Sequence, residues 1–513
     1  LAIIAAREEQ IRSFKPEDYY GLTCLAGGVK WTWRHKKSGS TRSFQKDFIT
    51  SLRQDLQGKS LTVTDVQKSA KKTYAPGLYD LTELQRDANQ KFGYSAKETL
   101  NIMQRLYENH KVLTYPRTDS RYIGTDVVPT IKERLKACNQ GPYKAYIPAL
   151  LRSEILPNRS FVDDKKVSDH HAIIPTAEFV KQGFDGLAES DRKLLSLICC
   201  KVLCAVAGPY VYEVLTATFT CAGKEFTAKG KTILTPGWKE IDRRFRASFK
   251  TDADEDAPEL ARELPEITEG QTFDKVEASV TEHYTTPPKP YTEDTLLSAM
   301  ERAGAEDMPE DAERQGLGTP ATRASILEKL VQIGFVERKG KQLLPTKDGH
   351  NLACVLPDVL TSPQLTAEWE TKLTAIAKGE TDPEGFMAGI EEMTRGLISG
   401  YSQISEDAQK LFQKERVSIG KCPRCGEAVY EGKKNYYCGN RACQFVMWKN
   451  DRFFEERGKA FTPKIAAALL KDGKAKVKGL RSMKTGKTYD GTVLLADTGG
   501  KYVNYRIERR DKN

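Results

Sequence analysis

No apolar run in this 513-residue chain reaches the length of a membrane span, and no charged, apolar, small-residue signal pattern opens it. A cytoplasmic protein with no membrane partner is expected. No G-x4-G-K-S/T loop occurs, so the usual backbone cradle for ATP phosphates is missing. A charge excess of one sign is also missing over most of the length, because 80 Lys and Arg face 70 Asp and Glu. What surplus there is gathers at the end, where residues 451–513 hold 16 Lys and Arg against 8 Asp and Glu. That points toward a polyanionic partner for the tail. There is no disulfide framework either. Cys24, Cys138, Cys199, Cys200, Cys204, Cys221 and Cys354 are scattered or sit in apolar helical context such as "LLSLICCKVLCAV", which reads as reduced, buried thiol.

The chain is long enough for several cores. It opens on the amphipathic run "LAIIAAREEQIRSF" with no N-cap, as though it began inside a helix. From Asp18 to about Ala75 the pattern is strand-like, with alternation in "YYGLTCLAGGVKWTWRHK" and "KSLTVTDVQ". Capping-box spacings at Asp80/Glu83 and Ser95/Glu98 predict two helices, the second carrying Leu100, Met103, Leu106 and Tyr107 along one face. Helical character continues to about residue 207, and the period then returns to two in "VYEVLTATFTCAGKEFTAKGKTIL". An acidic stretch with Asp252, Asp254, Glu255 and Asp256 offers a D-x-D spacing but reads better as a solvated linker. Beyond Pro290, Thr292 is a candidate N-cap and Gly304 a candidate stop. "GLGTPATRASILEKLVQIGFVERKGKQLLPT" predicts a helix capped by Thr319 with Pro320 at its first position, then a hairpin turning at Lys339-Gly340. Such a helix and wing serve nucleic-acid binding or plain packing equally well.

Three stretches carry chemistry. "KVLTYPRTDSRYIG" holds Tyr115 two residues before Arg117, a phenol and a guanidinium in a polar turn. A phosphotyrosine ester is a workable transient intermediate, with Arg117 holding the phosphate, although from these residues alone Tyr115 reads first as a half-buried aromatic and Arg117 as a solvated charge. "SDHHAIIPT" holds His170 and His171, two of only six histidines, either structural or placed to hydrogen-bond a phosphodiester oxygen. Cys422, Cys425, Cys438 and Cys443 form C-x2-C, a spacer of 12 residues, then C-x4-C around a predicted hairpin. That pattern fits one structural zinc in a ribbon better than a redox pair. Tyr430, Lys433, Lys434, Tyr436 and Tyr437 on that hairpin are candidates to stack bases and meet phosphates.

Taken together, "LTYPRTDSRYI", "DHHAIIPT", "GLGTPATRASILEKLVQIGFV", "LTSPQLTAEWETKL" and "LYDLTELQRDANQKFG" resemble the motifs of the type IA DNA topoisomerases, most closely the bacterial topoisomerase III branch. The resemblance covers roughly residues 1 to 415. It implies a multidomain α+β fold: the type IA toroid or arch, with helical domains, winged-helix-like units and an antiparallel β arch, followed by a zinc ribbon. Residues 1–14 would end the first segment of domain IV, and 15–78 and 208–288 would form the two parts of the β arch. Residues 79–207 would be the helical domain with the active tyrosine, 289–415 the second part of domain IV, 416–450 the ribbon and 451–513 a basic DNA-binding domain.

By this resemblance Tyr115 is the nucleophile on single-stranded or negatively supercoiled DNA, leaving a 5′-phosphotyrosine and a free 3′-hydroxyl. Arg117 would position the scissile phosphate and His170 would bind DNA near it. Thr118, Asp119, Ser120 and Arg323 join the expected DNA contacts beside Lys433 and Lys434. Resealing would need no ATP, and the protein would act as a monomer with the bacterial nucleoid. The family's N-terminal Toprim domain, whose acids hold magnesium and supply general acid chemistry, has no counterpart here, so a truncated enzyme carrying only the zinc site is expected. A non-cleaving nucleic-acid-binding module is the main alternative. A tyrosine recombinase fits poorly, because Tyr115 precedes nearly all its candidate partners.

Overall fold

The computed structural model describes residues 1–139, 143–153, 160–167, 169–249, 264–304, 316–401, 411, 418–500 and 503–508. The acidic run Asp252, Asp254, Glu255 and Asp256 lies outside the described residues. The chain forms two compact units, Leu1–Ile404 and Ser405–Asn513.

The first unit is built on a seven-stranded antiparallel sheet. After helix α1 (Ala2–Ser13), strands β1 (Asp18–Ala26), β2 (Val29–Arg34) and β3 (Leu61–Thr73) come from the first strand-like stretch. Strands β4 (Tyr210–Cys221), β5 (Lys224–Thr235), β6 (Thr272–Phe273) and β7 (Glu277–Tyr284) come from the second, in the order β6-β3-β4-β5-β2-β1-β7. Alternation drives the inner face: Trp31 and Trp33 point inward from β2, and Cys24↔Trp31 and Trp33↔Phe226 are cross-strand partners. The strand-like reading of residues 18–75 needs one correction. Residues Lys46–Leu56 form a helix, α2, whose Ile49, Leu52 and Leu56 seal the sheet core at helical spacing.

Between β3 and β4 the chain makes a separate helical body. It contains α3 (Leu81–Phe92), α4 (Ala96–Gln104), α5 (Ile131–Ala137), α6 (Ile147–Arg152), α7 (Ala177–Gln182) and α8 (Glu189–Val206). Asp80 and Ser95 cap α3 and α4 as expected, each side chain accepting from the amide three residues on, and Gly93 ends α3 at φ 72°. A second unforeseen helix, α9 (Gly237–Ser248), returns Ile241 and Phe245 to the core of this body. Cys138, Cys199, Cys200 and Cys204 are buried there as free thiols, and burial pushes the Cys199 thiol up. Cys221 and Cys354 depart from the expectation, Cys221 being only half-buried and Cys354 exposed beside His350. The body leaves and rejoins the sheet at one place, since Thr73 at the end of β3 pairs with Tyr210 at the start of β4.

The third region follows β8 (Tyr291–Thr292). Helices α10 (Glu293–Arg302) and α11 (Pro320–Gln332) carry the expected threonine caps, and α10 stops at Arg302, just short of Gly304. The hairpin β9 (Val336–Lys339) and β10 (Gln342–Pro345) makes the wing, followed by α12 (Lys347–Val355), α13 (Asp358–Thr361), α14 (Gln364–Ala377) and α15 (Pro383–Tyr401). Its contact with the helical body is largely polar. Arg86 and Gln90 of α3 donate to Asp294, Arg338 of the wing donates to Glu293, and Glu293 also accepts from the Ala96 amide at 2.6 Å. Both acids are buried. Glu293→Ala is therefore expected to cost about 2–3 kcal/mol, because it orphans a buried N–H and strips Arg338 of one partner. Urea unfolding should show Glu293→Gln losing less.

In the second unit, β11 (Ser418–Lys421), β12 (Ala428–Glu431), β13 (Asn435–Cys438) and β14 (Val446–Trp448) form one sheet. A helical turn at Arg452–Glu455 and a helix at Pro463–Asp472 lead to a second sheet of β15 (Lys474–Arg481), β16 (Thr488–Ala496) and β17 (Asn504–Ile507). The described part of the basic tail is thus folded, and it shares one core with the cysteine ribbon: Val429, Tyr436 and Met447 pack with Phe454, Phe461, Val477, Val493 and Tyr505.

Candidate active site and metal site

The tyrosine motif and the histidine motif meet through backbone. Leu113 bridges Pro175, the Thr114 amide donates to Ile174 O at 3.0 Å, and Thr114 Oγ1 donates to Ala172 O at 3.2 Å. That short pairing fixes the register between the two stretches and lays the Tyr115 ring on the His170 ring, with centroids 4.1 Å apart and planes at 32°. Tyr115 is half-buried and His170 exposed, so the pair borders solvent. A cleft of about 280 Å³ opens beside them, lined by Thr114, Asp126, Asp164, Asp169 and His171 among others. Asp164 is already engaged by the Thr125 amide at 2.8 Å. Arg117, two residues past Tyr115, is exposed and forms no ion pair with a described residue. It is available to an incoming anion.

The rest of the motif serves the loop itself. Thr118 is 2% exposed; its hydroxyl donates to His170 O at 3.0 Å and accepts from the Ser120 amide at 3.1 Å. Ser120 is also buried and donates to Lys166 O at 2.7 Å. Of Thr118, Asp119 and Ser120, only Asp119 is exposed. The Leu81 amide donates to Thr118 O, and the Leu78 amide to Arg121 O, so the cap of α3 holds the loop from one side. Arg121 then clasps Asp80 at 2.5 Å and Glu301 of α10 at 3.1 Å. Arg323 lies in the same polar contact, 2% exposed, donating to Thr82 Oγ1 at 2.9 Å and Leu317 O at 3.2 Å. Burial pushes its guanidinium down from the usual range. Its bonds make it a strut between α11 and α3.

Tyr107 was not legible as a site residue, and its placement on the apolar face of its helix is overturned. Leu100, Met103 and Leu106 are buried as expected, but Tyr107 is 36% exposed and stands edge-on to Tyr115 at 5.8 Å and 85°. The helix changes to a π-turn at Arg105–Asn109, which shifts Tyr107 off the stripe.

In the second unit the four cysteine Sγ atoms lie within 4.8 Å of one another, with Cys422–Cys443 at 3.7 Å and Cys425–Cys438 at 3.4 Å. A tetrahedral zinc–thiolate site has sulfur–sulfur edges of about 3.8 Å, so these residues fit. Burial pushes the Cys438 thiol up to about 12, a charge cost that a bound dication offsets. Arg424 between the first two cysteines donates to both Asp497 oxygens, at 2.7 and 2.6 Å, tying this knuckle to the end of β16. Lys433 and Lys434 are placed in the β12–β13 turn. Tyr436 does not join them: strand alternation sends it into the core, where its hydroxyl donates to Phe461 O at 3.0 Å. Tyr430 and Tyr437 pair across the strands on the outer face, and Trp448, not anticipated, is exposed at its edge. No other group of three potential metal ligands converges among the described residues.

A seven-stranded antiparallel sheet, an inserted helical body and a tyrosine seated against a histidine on a polar turn together define a type IA DNA topoisomerase fold. Residues 1–388 match the family described as DNA topoisomerase, and the chain belongs to that family. It is similar to DNA topoisomerase 3 of Bacillus licheniformis, 42% identical over 454 residues, covering 86% of this chain and 61% of the relative. The topoisomerase 3 of Bacillus cereus is 43% identical over 456 residues with the same coverages, and that of Bacillus subtilis 40% identical over 454. The chain thus spans about three fifths of the length of these relatives. Full-length topoisomerase I from Thermotoga maritima shares the fold, with a TM-score of 0.56 at 21% identity over 87% of this chain and 68% of that one. The topoisomerase III resemblance read from the motifs is borne out.

Proposed function

We propose that this protein cleaves and rejoins single-stranded DNA through Tyr115, acting on single-stranded or negatively supercoiled substrates without ATP. The observation that supports this best is the seating of Tyr115 on His170, two motifs brought together beside an open cleft, with the exposed Arg117 two residues on. In the forward step Tyr115 Oη forms a bond to phosphorus and the P–O3′ bond breaks. The phenol proton is lost and the departing 3′-oxygen gains one. The reverse attack by the 3′-hydroxyl reseals the strand, so the phosphoester energy is conserved. Arg117 neutralises the nonbridging oxygens through its fork of donors, and His170 orients the phenol and meets DNA. Asp119 and the ribbon's Lys433, Lys434, Tyr430 and Tyr437 complete the proposed DNA contacts. The metal of Cys422, Cys425, Cys438 and Cys443 is proposed to be zinc, with a structural role.

Magnesium is proposed as the cofactor of the complete reaction. No set of acids among the described residues forms a site for it, so none of the steps above is assigned to it. The enzyme is further proposed to be monomeric, cytoplasmic and nucleoid-associated; among the described residues no helix is long and apolar enough to cross a membrane. The deciding experiment is a denaturing gel for DNA covalently attached to Tyr115. Binding without attachment, with magnesium and the remaining segments of a topoisomerase 3 relative supplied, would favour the non-cleaving module.

The folded tail is proposed as a salt-sensitive DNA anchor. Deleting it would unravel the shared core, so the test must be made at the surface. Lys474, Lys476 and Arg481 are exposed along β15, and Lys478 shares that strand. Replacing the four by glutamine should flatten the plot of log affinity for single-stranded DNA against log salt by about 0.7 for each phosphate no longer neutralised. An unchanged slope would mean that these cations face something other than DNA.

A further inference from the structure

We propose that Tyr107 is a positioning residue for the nucleophile, holding the Tyr115 ring in the one tilt from which its hydroxyl meets the phosphate. The inference rests on the covalent role proposed for Tyr115. Two aromatic contacts of different kind act on that ring: His170 lies over it at 32°, and Tyr107 meets it edge-on at 85°. A ring lying tilted over another leaves it free to turn about its own plane normal, whereas an added edge contact restricts that movement. Together they leave the phenol few orientations. Fixing the attacking group before the reaction removes freedom that would otherwise be lost on reaching in-line geometry.

The backbone indicates that this placement is maintained against local preference. The π-turn Arg105–Asn109 is closed by the His110 amide donating to Arg105 O at 3.1 Å, and Lys111 then takes a left-handed φ of 57° without being glycine. Several tethers hold this irregular stretch. Arg105 is paired with the buried Asp191 at 2.5 Å, and the Val112 amide donates to Leu106 O at 3.0 Å. Thr176 Oγ1 donates to Lys111 O at 2.6 Å, and the His110 ring meets Gln182 at 3.2 Å. Continuing α4 regularly would keep Tyr107 on the stripe of Leu100, Met103 and Leu106. The extra residue of the π-turn is what presents it to Tyr115.

The test uses the full chain with Tyr107→Leu and Tyr107→Phe. Without DNA, the acetylation of Tyr115 by N-acetylimidazole is followed by peptide mass mapping, with the exposed Tyr284 as internal reference. Tyr107→Leu should change the Tyr115 rate several-fold while Tyr284 stays constant, and Tyr107→Phe, which keeps the edge contact, should match the parent. With a single-stranded oligonucleotide and magnesium, the leucine variant should bind with unchanged affinity but form covalent adduct about three- to tenfold more slowly, the range an aromatic pair contributes. An unchanged acetylation rate in Tyr107→Leu overturns the proposal. So does an unchanged adduct rate where the parent forms adduct. If the parent forms none under any condition, the covalent reading of Tyr115 fails instead, and acetylation still decides whether Tyr107 orients the ring.

Discussion

Tyr115→Phe will abolish covalent attachment to single-stranded DNA while leaving non-covalent binding nearly intact. The substitution removes one oxygen and keeps the ring, so the tilted contact with His170 and the edge contact from Tyr107 persist. What disappears is the group proposed to form the phosphotyrosine. The parent chain is itself expected to react slowly on its own. Expelling a 3′-alkoxide needs a general acid or a metal to offset the developing charge, and a guanidinium donates hydrogen bonds without giving up its proton. No acid cluster of metal-binding form converges at Tyr115 among the described residues. Adding the segments of a topoisomerase 3 relative that lie outside its match to this chain, in trans or as a fusion, with magnesium should therefore raise adduct formation and permit plasmid relaxation. Both activities should vanish in Tyr115→Phe. A surviving adduct in that variant would remove Tyr115 from the mechanism, and rapid relaxation by the unsupplemented chain would show that the acid lies within it.

The second large effect is expected on metal removal. One zinc per chain should be found, and Cys438→Ser or chelation should eliminate it. A structural zinc contributes on the order of 10–16 kcal/mol of apparent binding energy, far more than a unit this small can forgo. Cys422 and Cys438 lie in the same core as Val477, Val493 and Tyr505, and Arg424 ties the knuckle to Asp497. The cysteine ribbon and the β15–β17 sheet should therefore lose protection from protease together, while the Leu1–Ile404 unit resists. Loss of zinc with β15–β17 still protected would contradict the shared core.

Much of this architecture was readable because its signals are local. Asp80, Ser95, Thr292 and Thr319 each sit at a helix start with a partner three residues on, and the cysteine spacing fits only a few geometries. The features that escaped depend on the surroundings. Helix α2 offers only Ile49, Leu52 and Leu56 as a stripe between turn-rich stretches, and α9 follows directly on a strand with Ile241 and Phe245 as its anchors. Tyr430, Tyr436 and Tyr437 look alike as letters, but the register of β12 and β13 sends one inward and two outward. Thr118 and Ser120 are polar residues in a polar motif, yet the loop consumes their hydroxyls in its own hydrogen bonds. Tyr107 turns on a single inserted residue, for which composition carries no signature.

The pairing of Thr73 with Tyr210 has a consequence for the order of folding. Strands β3 and β4 are neighbours in the sheet but distant in the chain, and bringing such partners together from an open coil carries a large loop-closure entropy. A helical body rich in local contacts can form first and, once formed, leaves its two ends side by side. The long connection then behaves as a short one. The arch should accordingly be the slow partner in refolding, zipping only after the body that carries Tyr115 has condensed, and substitutions in the α3–α8 core should retard arch formation though they touch none of its strands.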